Sequence, residues 1–246
     1  MELTLALYLG IFAVAFLIGA TAIGGLLLVP LLVIWGGYPV HTAIPVCLFS
    51  IFFSGIVGSL IFGAKGHVRL VDIGNLALPA GAAALIGALL LPFVPSKGIE
   101  ILIAVLCFGG FWVSSRLTGN SDTAEDPSVS QARLIYVGIA TGLGSSLSGT
   151  GGPLILIPIL TFLGYGAKRS VGMAQAIQLP IAAFAGVGNL VIGTINFSLA
   201  LPVAGAVVVG SACGAVFGQR VNGGMLRQLV SFMLLICGII YAGRLF

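Results

Sequence analysis

Gln175, Gln178, Ala182, Ala185 and Asn189 follow one another at intervals of 3, 4, 3 and 4 residues. Those steps put them on one face of an α-helix, with the side-chain amides pointing the same way. An amide donates and accepts hydrogen bonds but carries no charge and passes on no proton at neutral pH. It suits the holding of a polar solute rather than bond making. Pro180 interrupts the same helix and can free a backbone carbonyl. A second stripe of small polar residues runs through Cys47, Ser50, Ser54 and Gly58 at intervals of 3, 4 and 4. Such stripes either line a polar path or form a hydrogen-bonded seam between helices. The serines fit the seam, whereas Gln175 and Gln178, larger and costlier to bury unpaired, favour the path.

Beside these faces lie two interruptions of apolar sequence. One reads Thr21-Ala22-Ile23-Gly24-Gly25, the other Ser148-Gly149-Thr150-Gly151-Gly152-Pro153. Proline suits the first position of a helix, where a missing N–H costs little, so a short helix is expected to start at Pro153 and another after Gly25. A helix start offers unpaired N–H groups and partial positive charge, and glycine lets a ligand approach that backbone closely. Two such ends meeting at the bilayer midplane would make an anion site without any basic side chain. A kink that only shapes packing is the alternative; its recurrence with hydroxyls alongside argues for the site.

Composition fixes the surroundings. Of 246 residues, 59% are hydrophobic and 7% charged, against about 25% charged in soluble domains. Apolar runs long enough to span a bilayer recur from end to end, so the chain is an integral membrane protein. Asp72, Lys97 and Glu100 fall at segment ends, and no ionised residue sits mid-span. A proton-coupled carrier usually keeps an intramembrane carboxylate. Ser145, Ser146 and Ser148 have no neighbouring histidine, and His41 and His67 both lie at segment ends. The expectation is therefore no enzyme, no catalytic residues, no metal site and no cofactor. Cys47, Cys107, Cys213 and Cys237 lie inside apolar segments with no CxxC pair, which predicts no disulfide. The scattered net charge of +4 is no nucleic-acid footprint. MELTLALYLG lacks a basic leader and a cleavage site, and is not read as a signal peptide. Glycine pairs such as Gly55/Gly58, Gly81/Gly87 and Gly186/Gly188 are expected to be packing notches.

The elements that must position these residues come in two sets. Residues 118–131, TGNSDTAEDPSVSQ, form an acidic linker between a first membrane repeat, 1–117, and a second, 132–246. Aligning Pro30 with Pro158, a shift of 128, pairs Gly24 with Gly152 and Gly36 with Gly164; VGSLIFG (57–63) then matches VGNLVIG (187–193) across a two-residue gap. Each repeat opens with an overlong apolar segment, Leu3–Trp35 or Ala132–Leu163, that is either one tilted helix or a hairpin broken at the glycines. Three plainer helices follow. With simple helices the ten basic residues divide five against five. With hairpins, Lys65, Arg69, Arg116, Arg133, Lys168, Arg169, Arg220 and Arg227 share one side and only Lys97 and Arg244 the other. Eight against two obeys the positive-inside rule. The expected fold is an all-α integral membrane protein of two inverted repeats, each an interrupted helix hairpin plus three transmembrane helices, with about 8–10 membrane segments. Both termini are expected outside and the linker in the cytoplasm.

The motifs IGGLLLVPLLVIWGGYPVHTA (23–43) and GTGGPLILIPILTFLGYGAKRSV (149–171), the latter followed after Gly172 by MAQAIQLP, resemble the sulfite exporter TauE/SafE family over nearly the whole chain. The resemblance implies a transporter of sulfur-containing anions such as sulfite, sulfoacetate and other small organosulfonates. The family tends to carry a fuller glycine run at the first break, where Thr21, Ala22 and Ile23 stand here. The combined expectation is an inner-membrane exporter with a small sulfur-containing anion and the lipid bilayer as its partners. The candidate binding residues are Thr21, Gly24, Gly25, Ser50 and Ser54 from the first repeat. Ser148, Thr150, Gly151, Gly152, Gln175, Gln178 and Asn189 complete them from the second. An uptake carrier coupled to protons through His41 or His67, an anion channel and a non-transporting scaffold subunit are the alternatives.

Overall fold

The computed structural model describes residues 5–23, 25–64, 70–116 and 129–243. Gly24, Lys65, His67, Arg69, Arg244 and the acidic residues of the linker lie outside them. The described residues form ten α-helices and no strand. They are α1 (Leu5–Thr21), α2 (Gly25–Pro30), α3 (Val40–Gly63), α4 (Leu70–Leu90), α5 (Ser96–Arg116), α6 (Gln131–Ser148), α7 (Pro153–Phe162), α8 (Ala167–Ile192), α9 (Phe197–Arg220) and α10 (Gly223–Gly243). Six helices are long and apolar enough to cross a membrane, within α3, α4, α5, α8, α9 and α10.

Each overlong apolar segment is two helices, not one. The chain leaves α1 through Ala22, whose φ is 65°, and resumes as α2. Pro30 then removes a backbone donor, and the turns widen into a π-helix over Leu31–Trp35. The returning arm lies back along α1: a β-carbon placed on Gly10 would stand 3.2 Å from Leu31 and 3.3 Å from Trp35. That contact excludes a single straight helix over Leu3–Trp35. In the second segment α6 ends at Ser148, and Gly149 at φ 73° turns the chain toward α7.

Polar caps start the helices where the chain offers them. Ser130 accepts from the Arg133 N–H at the head of α6, and Asn196 accepts from Leu199 at the head of α9. Inside a bilayer no hydrophobic gain drives helices together, so close backbone approach must do so. Gly210, Gly214 and Gly218 form one edge of α9 pressed on α1; a methyl on Gly214 would overlap the Phe16 carbonyl oxygen. Gly138 and Gly142 of α6 meet α4 in the same way, and a methyl on Gly142 would overlap the Ala80 carbonyl oxygen.

The most extensive packing joins α4 to α6 and α1 to α9, then α4 to α8 and α3 to α9, with α3 against α8 and α5 against α10. Exchange the five helices α1–α5 with α6–α10 in order and this set of partners is unchanged. Two of these contacts, α3–α8 and α5–α10, are exchanged onto themselves and so pair equivalent helices of the two halves.

Candidate functional site

The two breaks are built alike at their first step. Thr21 and Ser148 are the last residues of α1 and α6, and each hydroxyl bonds back to the carbonyl four residues earlier: Thr21 to Leu17 at 2.8 Å and Ser148 to Gly144 at 2.7 Å. A left-handed residue follows each, Ala22 or Gly149. The helices resume at Gly25 and Pro153, so three residues lie in the first break and four in the second. Aligning the prolines places Gly149 opposite Thr21; the geometry makes Ser148 its counterpart, with the extra residue taken up inside the break.

Beyond that step the breaks diverge. In the first, Ile23 N–H donates to Thr21 Oγ1 at 3.3 Å, and the same hydroxyl lies 3.6 Å from Met233 Sδ. In the second, Ser148 Oγ and Thr150 Oγ1 are 2.9 Å apart. Gly151 at φ 73° and Gly152 at φ 119° occupy backbone conformations that side chains rarely adopt. Pro153 opens α7, and the Gly152 carbonyl accepts from Ile155 and Leu156. The described residues of both breaks are buried, as non-helical backbone at membrane depth must be unless it lines a water-filled cavity.

The breaks meet. A β-carbon on Gly25 would lie 3.1 Å from the Thr150 carbonyl oxygen. Ile51 of α3 fills the space between them: it stands 3.6 Å from the same point on Gly25, and a methyl on Gly151 would overlap its Cδ1. Gln178 of α8 reaches both. Its Nε2 donates to the Ala22 carbonyl at 3.2 Å, and its Cγ lies 3.4 Å from where a Gly151 β-carbon would stand. One turn earlier, Gln175 Nε2 donates to the Ile18 and Gly19 carbonyls at 2.9 and 3.2 Å. These are C-terminal carbonyls of α1; Ile18 also accepts from the Ala22 N–H at 2.7 Å, whereas Gly19 takes its donor from α8. The amide faces thus bind protein backbone through nitrogen, while Oε1 of each glutamine is buried with no protein partner. Gly55 and Gly58 of α3, expected to be packing notches, make the room: β-carbons there would stand 3.1 Å from Gln178 Cβ and 2.5 Å from Gln175 Oε1.

The remaining candidates divide. Ser54 is fully buried, and its Oγ has no protein partner. Ser50 spends its hydroxyl on the Val46 carbonyl at 2.8 Å. Asn189 lies eleven residues beyond Gln178, about 16 Å further along the helix axis. Its Oδ1 accepts from Thr194 as α8 ends, so the fold does not bring it to the breaks. Gly24 lies outside the described residues. Four contributors have no polar signature that marks them in sequence: Ala22 through its carbonyl, Ile51 through its position, and Gly55 and Gly58 through their lack of side chains. Thr141 also contributes, a polar residue outside both stripes; its Cγ2 lies 3.4 Å from a β-carbon on Gly152, and its Oγ1 has no protein partner.

No charged side chain is among these groups, and no cluster of His, Cys, Asp or Glu among the described residues could hold a metal ion. His41 sits instead at the start of α3, with Nε2 3.1 Å from the Val94 carbonyl before α5. Paired breaks that meet around uncharged polar groups, inside a bundle of long apolar helices, define a multi-pass membrane protein on the plan of secondary transporters. The model of the sulfite exporter TauE/SafE family matches residues 7–241, and the chain belongs to that family of membrane transporters. It is 25% identical over 222 residues to "Probable membrane transporter protein YdhB" of Bacillus subtilis, covering 85% of this chain and 86% of that one. It is also 25% identical over 236 residues to "Probable membrane transporter protein MJ0441" of Methanocaldococcus jannaschii, covering 88% and 86%. No solved structure matches.

Proposed function

We propose that this protein exports sulfite or a small organosulfonate across the inner membrane, binding the anion where the two breaks meet. The observation that carries the reading is Gln178, one buried side chain in contact with both breaks. A solute held there touches both halves of the chain at once, so their relative movement can expose it to either side in turn. Hydroxyls, backbone N–H groups and amides desolvate at less cost than charged side chains and release an anion more readily. These groups exchange hydrogen bonds with a solute and transform nothing, which makes the chain a carrier rather than an enzyme.

The family's description names sulfite, which supports a small sulfur-containing anion as the substrate. The packing partners that survive exchange of the two halves support repeats at 1–117 and 132–246, and the eight-against-two division of basic residues supports their inversion. Both termini then lie outside and the linker 118–131 in the cytoplasm; a C-terminal reporter that proved cytoplasmic would overturn this orientation. Lys168 and Arg169 begin α8 on the cytoplasmic side, where their charge attracts anions, and Arg169 lies 6.0 Å from the Tyr165 ring centre. Export of an anion from a negative-inside cell is downhill by about 2.3 kcal/mol per charge per 100 mV, so no coupling ion is needed.

Sulfite and sulfoacetate flux in liposomes tests the reading, with wild type set against Gln178→Ala and Thr150→Val. Saturable flux that falls about tenfold or more in each variant is expected, from the loss of one buried hydrogen-bonding group. Robust flux unchanged in both variants moves the site elsewhere. No flux of either anion removes the function, and unitary conductance makes the protein a channel.

A further inference from the structure

Two of the atoms left over at the meeting of the breaks can only accept, the Oε1 oxygens of Gln175 and Gln178. Gln175 and Gln178 are fully buried, and their Nε2 atoms face carbonyl oxygens of α1. A carbonyl only accepts, so the orientation of each amide is fixed by its neighbour and the oxygen must point the other way. Gln175 has both amide hydrogens engaged, by Ile18 and Gly19. Gln178 has one engaged, by Ala22, and keeps one N–H beside its free Oε1. The free oxygen of Gln175 faces Gly58 of α3 across the α3–α8 contact, and Gln178 sits against Gly151 and Gly55.

A bare oxyanion offers these amide oxygens only more lone pairs, which repel. A buried acceptor left unpaired is costly, and a site built to hydrogen-bond a hydroxyl rejects the analogue that lacks it. From the Proposed function reading, on which this rests, we infer that the site selects anions carrying an O–H of their own. Sulfite in its monoprotonated form and sulfonates with a neighbouring hydroxyl belong to this class. The acidic oxygens take the Gln178 N–H and the hydroxyl of Ser54, while the ligand's O–H donates to Gln178 Oε1. Gln178 then sets specificity as well as closing the end of α1.

The probes are 2-hydroxyethanesulfonate and ethanesulfonate, which differ by one hydroxyl, with sulfite as reference. Each is measured for kcat/KM of flux in liposomes containing the full chain. The hydroxylated anion is expected to exceed its analogue by about tenfold or more. Gln178→Met keeps the length of the side chain without its polar atoms and is expected to bring the ratio toward one. If that variant fails to fold, Ser54→Ala and the wild-type ratio still decide: Ser54→Ala lowers flux of both sulfonates and leaves their ratio high. A wild-type ratio near one, with both sulfonates and sulfite carried, overturns the selectivity and leaves the exporter standing, its amide oxygens satisfied by solvent. A high ratio that Gln178→Met does not change also overturns it. No flux of any of the three removes the exporter reading and this inference with it.

Discussion

Gln178 Nε2 lies 3.2 Å from the carbonyl oxygen of Ala22, so a side chain of the second half closes the end of a helix in the first. Gln175 does the same for Ile18 and Gly19. Removing the Gln178 amide strands the Ala22 carbonyl and removing the Gln175 amide strands that of Gly19, each at about 1–3 kcal/mol, while Ile18 keeps the Ala22 N–H. Gln175→Leu is expected to lower stability by that amount, whereas Gln175→Glu, protonated at this buried position, keeps one O–H donor for a carbonyl and is expected to lose less. Thermal unfolding in detergent should rank wild type above Glu above Leu; a Leu variant as stable as wild type would contradict the capping role.

Ala22 holds φ at 65°, a conformation that costs a non-glycine residue about 1–2 kcal/mol. Glycine removes that strain and gives back part of it as chain entropy. Ala22→Gly is therefore expected to stabilise the protein by about 0.5–1 kcal/mol, and a branched Ala22→Val to destabilise it, both read from the same unfolding curves.

Gly142 and Gly214 sit where a methyl would overlap a carbonyl oxygen of the facing helix, whereas Gly205 has open space around the same point. Gly142→Ala and Gly214→Ala are each expected to cost about 1–3 kcal/mol or to prevent recovery of folded protein. Gly205→Ala, exposed in the middle of α9, should be tolerated and gain up to about 1 kcal/mol of helix propensity. Chromatographic homogeneity and unfolding temperature of the three variants check the contrast.

Ile51 is fully buried and in contact with both breaks. Ile51→Ala opens space between Gly25 and Gly151 at a cost of about 2–4 kcal/mol. Flux is expected to extend to bulkier sulfonates while the smallest anions lose selectivity. Competition assays across a size series read this directly, and an unchanged size limit would show that Ile51 does not bound the site.

The hairpins were legible because two Gly-Gly breaks in overlong apolar segments leave few other outcomes, and the basic residues agreed. The face shared by Gln175 and Gln178 was legible from periodicity. Depth was not: the 3-4 stepping that groups Asn189 with the glutamines gives a helix face but not which turn of it meets the breaks. The direction of each amide depends on carbonyls some 156 residues earlier in the chain, which no local pattern encodes. Proline alignment concealed the extra residue of the second break, since the insertion lies upstream of the first matched landmark, Gly24 with Gly152. Ile51 and Ala22 act through shape and backbone, and their residue types announce neither.

The caps on α1 also impose an order on assembly. Gly19 and Gln175 are 156 residues apart in the chain. At about 5–20 residues per second, a ribosome needs roughly ten to thirty seconds to make the second after the first. Through that interval the Gly19 carbonyl of the newly inserted first helix lacks the donor that α8 supplies in the finished fold. A chain truncated before α8 keeps that acceptor unpaired and is expected to be a substrate for membrane quality control rather than half a transporter.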